Sequence, residues 1–210
     1  MPISERLRAG CALALIAGLV AGCDPAGLSG APSRATVDVA DVAVVVTAPA
    51  GFCVDRESTR RVDDGVFVLM TDCALLAGTV NPARPPLGAA FTATILPGSL
   101  GGEGSAQAAS LDGLRDFVGT AEGRAILGGG AEGVRLLRAV PGEGALFVLV
   151  EDRAGPPMPG VSARYWRAFV ALDGRFAVLS ALPFESGRMD EQAALDGLAQ
   201  LAANLRRANL

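Results

Sequence analysis

Tyr165-Trp-Arg-Ala-Phe-Val-Ala-Leu172, Asp173-Gly174 and Arg175-Phe-Ala-Val-Leu-Ser-Ala-Leu182 form the run that decides the fold. Two apolar segments rich in β-branched and aromatic residues read as strands. Asp-Gly is the dipeptide favoured in two-residue hairpin turns, where both central residues take positive φ. Strands joined this way must be antiparallel. Beyond them Leu195, Leu198, Leu201, Ala202 and Leu205 recur at spacings of three and four, the apolar stripe of a helix. Asp190-Glu191 opens that helix and Arg206-Arg207 closes it, each sign of charge at the end the helix dipole favours.

Working outward, Val66–Thr71, Ala89–Leu96, Val134–Val140 and Ala145–Glu151 are further short apolar runs bounded by Gly, Pro or Asp. Pro141-Gly142-Glu143-Gly144 makes a second hairpin loop, and Asp63-Asp64 before Gly65 a third turn. Val37–Thr47 reads as a single strand ended by a turn with Pro49 and Gly51. Ser110 is placed to cap a helix with Leu111, Leu114, Phe117 and Val118 on one face. The fold class expected is α+β, an antiparallel β-sheet packed against helices that include a long C-terminal one.

The 210 residues are half apolar and about one fifth charged, the composition of a globular domain. All 18 basic residues are arginine, and the chain has no histidine. The missing imidazole removes the commonest general base and metal ligand, and with it Ser-His and Cys-His catalysis. Positive and negative charges are interspersed rather than blocked, so nucleic acid is not an expected partner.

Arg6 and Arg8 precede an apolar run from Ala9 to Gly22, fourteen residues against the roughly twenty needed to span a bilayer core. This is the size of a signal-peptide core. The ending Val20-Ala21-Gly22-Cys23 resembles the lipobox of bacterial lipoproteins, which implies cleavage before Cys23 and lipid on its thiol. Removing residues 1–22 takes away Glu5, Arg6 and Arg8 and leaves 21 acidic residues against 16 arginines. The expected organisation is a signal peptide over 1–22, a flexible Gly/Ala/Ser/Pro-rich tether over 23–35 and one globular domain over 36–210. Asp24 resembles an inner-membrane retention signal. The expected location is the cell envelope, lipid-anchored and facing the periplasm.

Cys11 leaves with the signal, so the domain keeps Cys53 and Cys73 in an oxidising compartment. Their spacing suits a bridge between an incoming loop and a neighbouring strand, worth about 3 kcal/mol in the chain-entropy model. A redox-active pair is the alternative, but it would lack a C-x-x-C motif and a nearby His or Lys.

Val44–Phe52 (strand, then Pro-Ala-Gly-Phe), the helical Leu111–Val118, and Tyr165–Asn209 (strand, Asp-Gly turn, strand, long helix) together resemble the PsbP-like superfamily. That fold is shared by extrinsic photosystem subunits, a Ran-binding import factor and many bacterial lipoproteins. Phe52 stands where the superfamily usually has tryptophan. The resemblance implies binding or assembly roles and brings no catalytic residue.

Other constellations carry less. Gly128, Gly130 and Gly133 match G-x-G-x-x-G, with Glu151 about twenty residues on, but the following Val134–Val140 reads as strand where a dinucleotide site needs a helix. Asp63-Asp64, Asp72, Glu151-Asp152 and Asp190-Glu191 lack calcium-loop spacing and read as turns or caps. Ser180 has no nucleophile elbow. Ala77–Gly88 and Gly155–Gly160 are proline-rich loops. Around the second, Arg153, Pro156, Pro157, Met158, Arg164, Tyr165 and Trp166 form a candidate partner surface, since Tyr, Trp and Arg dominate interface hot spots; a solvent loop beside a core aromatic is the bland alternative. The function expected is a membrane-tethered, non-enzymatic module that binds or assembles another envelope protein, without cofactor or metal. A carrier or sensor of a small apolar ligand, held between sheet and helix, is the alternative.

Overall fold

The computed structural model describes residues 30–80, 83, 85–98, 111–121, 133–153 and 155–210. The expected signal peptide, Cys23, Asp24, Ser110, Gly128 and Gly130 lie outside them.

The chain forms β1 (Arg34–Val39), β2 (Val42–Thr47), β3 (Phe52–Val62), β4 (Gly65–Asp72), α1 (Cys73–Leu76), β5 (Ala89–Pro97), α2 (Leu111–Val118), β6 (Val134–Gly142), β7 (Ala145–Asp152), β8 (Arg164–Leu172), β9 (Arg175–Pro183) and α3 (Glu191–Asn209). β3 to β9 make one antiparallel seven-stranded sheet in the order β3-β4-β5-β9-β8-β7-β6. β1 and β2 make a separate hairpin.

Two expectations change. Val37–Thr47 is not one strand: Ala40 and Asp41, at φ 48° and 61°, fold it into the β1-β2 hairpin. Ala at positive φ costs roughly 1–2 kcal/mol, so Ala40-Asp41 does not read as a turn from sequence. β3, with its charged Asp55–Arg61, has no apolar alternation and gave no strand signal. It is an edge strand kinked between Asp55 and Arg60. There the Asp55 carboxylate accepts Ser58 Oγ at 2.6 Å and the amides of Glu57 and Ser58, which holds its pKa below the ordinary value.

Both sheet faces are apolar. One carries Phe52, Val68, Phe91, Ile95, Leu149, Trp166 and Leu179 beneath α3 and the hairpin. The other carries Leu146, Val148, Val150, Tyr165, Phe169 and Leu182, with Leu114 and Val118 of α2 packed on them. Seven strands are about 29 Å wide, whereas a helix is about 10 Å across. The first face is therefore shared: α3 lies beside the β1-β2 hairpin, and the expected packing against several helices becomes one long helix and a hairpin. α2 is an eight-residue helix on the opposite face.

Amide side chains of α3 fasten the hairpin. Asn209 donates to Val45 O and accepts from Val45 N, Asn204 donates to Thr47 O, and Gln200 accepts from Ala50 N. The bonds to Val45 and Thr47 satisfy β2 backbone groups that pair with no strand, the condition for burying a sheet edge, and the one from Ala50 holds the turn that follows. The domain also begins before Thr36: strand β1 starts at Arg34, Pro32 O accepts from Val54 N and Ser33 O from Ala48 N, so the end of the expected tether is tied down.

The two ends of the sheet differ. At one, two-residue turns join consecutive strands at Asp63-Asp64, Glu143-Gly144 and Asp173-Gly174. The other end bears α1, the described residues of the 77–88 and 153–163 connections, the start of α3 and the incoming chain at Pro32. There Gly88 and Gly187 cross backbone to backbone, too close for a side chain on either. Cys53 of β3 is disulfide-bonded to Cys73 of α1, so the bridge joins an edge strand to a helix start rather than an incoming loop to a strand.

Gly197 sits inside α3, where glycine costs about 1 kcal/mol relative to alanine. Its lack of a side chain seats the helix: a Cβ there would lie 2.6 Å from Phe91 Cζ. Phe91 cannot yield freely, because its ring meets that of Phe52 edge-on at 4.7 Å. Gly197→Ala is expected to lower stability by about 1–3 kcal/mol, the cost of overpacking, despite its gain in helix propensity. Denaturant titration checks this, and an unchanged or higher midpoint would refute the seating argument. Replacing both Cys53 and Cys73 with Ser should cost about 3 kcal/mol in the same assay.

Candidate functional site

β8 turns alternate side chains to opposite faces. Trp166 points toward α3 and is 1% exposed, and its indole Nε1 donates to Glu191 O at 3.0 Å. The helix covers one flank of the ring. On the other flank the Arg138 guanidinium of β6 lies 4.9 Å from the ring centroid.

Arg138 reaches that position because of a bulge between Leu136 and Arg138. Arg135 pairs with Glu151 on the α3 face; without an extra residue Arg138 would face the other way, but the bulge sets it opposite Leu149 on the Trp166 side. Its Nη2 then meets Glu191 Oε1 at 3.2 Å, while Arg164 Nη1 approaches Glu191 Oε2 at 3.9 Å. One rung along, the register aligns Arg135, Glu151 and Arg164 across β6, β7 and β8. Glu151 pairs with Arg135 at 4.0 Å and with Arg153 at 3.6 Å. These side chains are largely solvent-exposed, so each pair contributes at most about 1 kcal/mol and serves chiefly to orient the guanidinium groups.

Between this rim and α3 opens a cleft of about 240 Å³, lined by Leu149, Arg164, Trp166, Pro183, Met189 and Ala194. Apolar walls, an indole and a charged mouth suit the capture of one apolar side chain with a polar neighbour. A wider opening of about 530 Å³ lies beside Gly133, Val134 and Arg153.

The expected partner surface divides. Arg164 and Trp166 come together at the cleft, Trp166 as buried wall rather than exposed anchor, while Arg153 lines the wider opening. The Tyr165 side chain is on the opposite face, 1% exposed, and Met158 packs partly buried in the same cluster. Tyr165 therefore cannot be a surface hot spot. Pro156 and Pro157 are exposed on the connecting loop. The sequence gives no signal for Arg138, and it marks Glu191 only as part of a helix start. The bulge has no glycine to mark it, and Glu191 arrives only when α3 folds back.

Asp190 caps α3 through the amide of Ala193, and Asp72 caps α1 through that of Ala74. Asp63 lies in a tight turn at φ 48°, and Ser180 is buried in β9. Among the described residues no three acidic, Cys or His side chains gather to hold a metal, and no helix is long and apolar enough to cross a membrane.

Tyr165 is buried, with the Arg167 side chain beside it. Burial pushes its pKa above the ordinary value; Arg167, whose guanidinium lies 5.4 Å from the ring centroid, opposes the shift and Asp152 reinforces it. The unfolded phenol ionises first, near pH 10, so the neutral folded form holds its proton longer and stability falls as pH rises beyond that point. Tyr165 is the sole tyrosine. Absorbance at 295 nm should show it titrating above pH 10 together with loss of the folded state; ionisation near pH 10 with the fold intact would contradict its burial.

No family model matches the chain, and the search of curated proteins finds no match. Among solved structures the chain is similar to a point mutant of the protein Mog1, with a TM-score of 0.46 and 15% sequence identity over 83% of this chain and 94% of that one.

Proposed function

We propose that this chain is a lipoprotein of the cell envelope, anchored through lipid on Cys23, that binds a second envelope protein and catalyses no reaction. Asp24 favours residence in the inner membrane, with the domain facing the periplasm. The observation that carries the binding reading is the Trp166 cleft: an apolar slot with oriented arginines at its mouth.

Its size favours a partner over a ligand. Sites for small molecules span roughly 300–1,000 Å³, whereas this cleft is about 240 Å³, closer to the room one inserted side chain needs. A carrier of a small apolar ligand is the second reading, favoured by the cleft's position between sheet and helix. The resemblance to the PsbP-like superfamily points toward binding.

The test is crosslinking and affinity purification of the tagged lipoprotein from its native membrane, beside Met189→Trp, which fills the cleft, and Arg164→Glu, which reverses its mouth. A protein recovered with the wild type should fall at least tenfold with either variant. Equal recovery from all three would remove the cleft from the function. A blank with folded protein would favour the carrier, which native mass spectrometry should then find holding a ligand.

A further inference from the structure

We propose that the loop-bearing end of the sheet rests on the lipid bilayer, with Leu75, Val80 and Leu87 reaching into the boundary between headgroups and acyl chains. This rests on the Cys23 anchor proposed above.

Five large apolar side chains are exposed among the described residues, and three of them are these, at 40%, 49% and 39%. All three lie around α1 and are called the apron. Thr79 N donates to Ala74 O and Gly78 N to Leu75 O, which folds Val80 back beside α1. Leu87 lines a cavity of about 320 Å³ with Cys73, Ala74 and Pro85. Single exposed apolar residues are ordinary, whereas a contiguous group marks a contact surface.

The apron is held outward by built fasteners. The buried Asp72 carboxylate accepts from Ala74 N at 2.8 Å and from Leu87 N at 2.9 Å, tying both sides of the 77–88 connection to one group. The Cys53–Cys73 disulfide pins the first residue of α1 to β3. These bonds keep Leu75 and Leu87 from collapsing onto the core.

The route of the chain says what covers them. β2 runs toward this end to reach β3, so its antiparallel partner β1 starts there, and the residues before Arg34 arrive at the same end. Eight residues lie between Cys23 and Pro32, nine steps along the chain with a reach of at most about 32 Å when fully extended. The strands are about 30 Å long, so the two-residue turns at the far end stand well beyond the anchored end. The apron-bearing end is the one nearer Cys23 along the chain, and apolar side chains at an interface add to the hold of an acyl anchor. Charges at this end are mixed, Arg153, Arg164 and Arg188 lying among Glu151, Glu185 and Glu191. The contact is therefore apolar, insensitive to salt and independent of anionic lipid.

The test uses the processed lipoprotein, its acylation verified by mass, in vesicles of phosphatidylcholine brominated on the acyl chains. Leu87→Trp and Leu75→Trp each add a reporter at the apron, and Asp173→Trp adds one at the far end. Emission from either apron reporter should fall by at least one third relative to unbrominated vesicles, in low and high salt alike. Asp173→Trp should be quenched no more than the wild type, whose sole tryptophan is Trp166. Quenching absent at both apron positions, or equal at position 173, overturns end-on docking while the anchor stands. A chain that carries no lipid overturns the anchor reading itself.

Discussion

A sheet of seven strands has an apolar face roughly three times as wide as the helix that returns across it. Everything on that face follows from the mismatch. α3 covers the middle, seated by the absence of a side chain at Gly197, and the β1-β2 hairpin covers the β3-β4-β5 side. A hairpin used as a lid brings backbone groups that no strand pairs, and the amides of Asn204 and Asn209 answer them. The helix thus supplies both the apolar stripe that holds the sheet and the polar flank that holds the hairpin.

Neither covering element fully closes the flank of Trp166 toward β6. There a long side chain closes the gap: the guanidinium of Arg138 lies over the indole and keeps its charge toward solvent. The cleft beside it is what remains between a helix and a cationic lid that do not quite meet. Glu191 is common to both sides, since its carbonyl accepts from the indole and its carboxylate orients Arg138 and Arg164. The arrangement couples the candidate binding site to the helix start, so the site exists only once α3 has docked.

The hairpin around Asp173-Gly174, the stripe of the last helix and the Cys53–Cys73 pair were legible because each is a local pattern. β3 was not, because an edge strand can be stabilised by one neighbour and a kink while most of its side chains face water. The turn at Ala40-Asp41 was hidden too, since tertiary packing of Val39, Val44 and Val46 overrides an unfavourable local preference. Tyr165 and Trp166 show the limit most directly. Adjacent on a strand, they were grouped as one surface, yet alternation sends them to opposite cores.

Local pattern was enough to specify the antiparallel α+β class, most of the strands and the closing helix, because periodicity and turn chemistry act over a few residues. The lipobox-like ending at Cys23 and the absence of histidine were equally plain, being matters of motif and composition. Which side chains meet is a property of the folded chain alone. One extra residue in β6 turns Arg138 toward Trp166, and the fold-back of α3 brings Glu191 between Arg138 and Arg164. The route of β1 sets the incoming chain at the end that bears Leu75, Val80 and Leu87. These are juxtapositions of residues distant in sequence, fixed by register and packing rather than by any local preference.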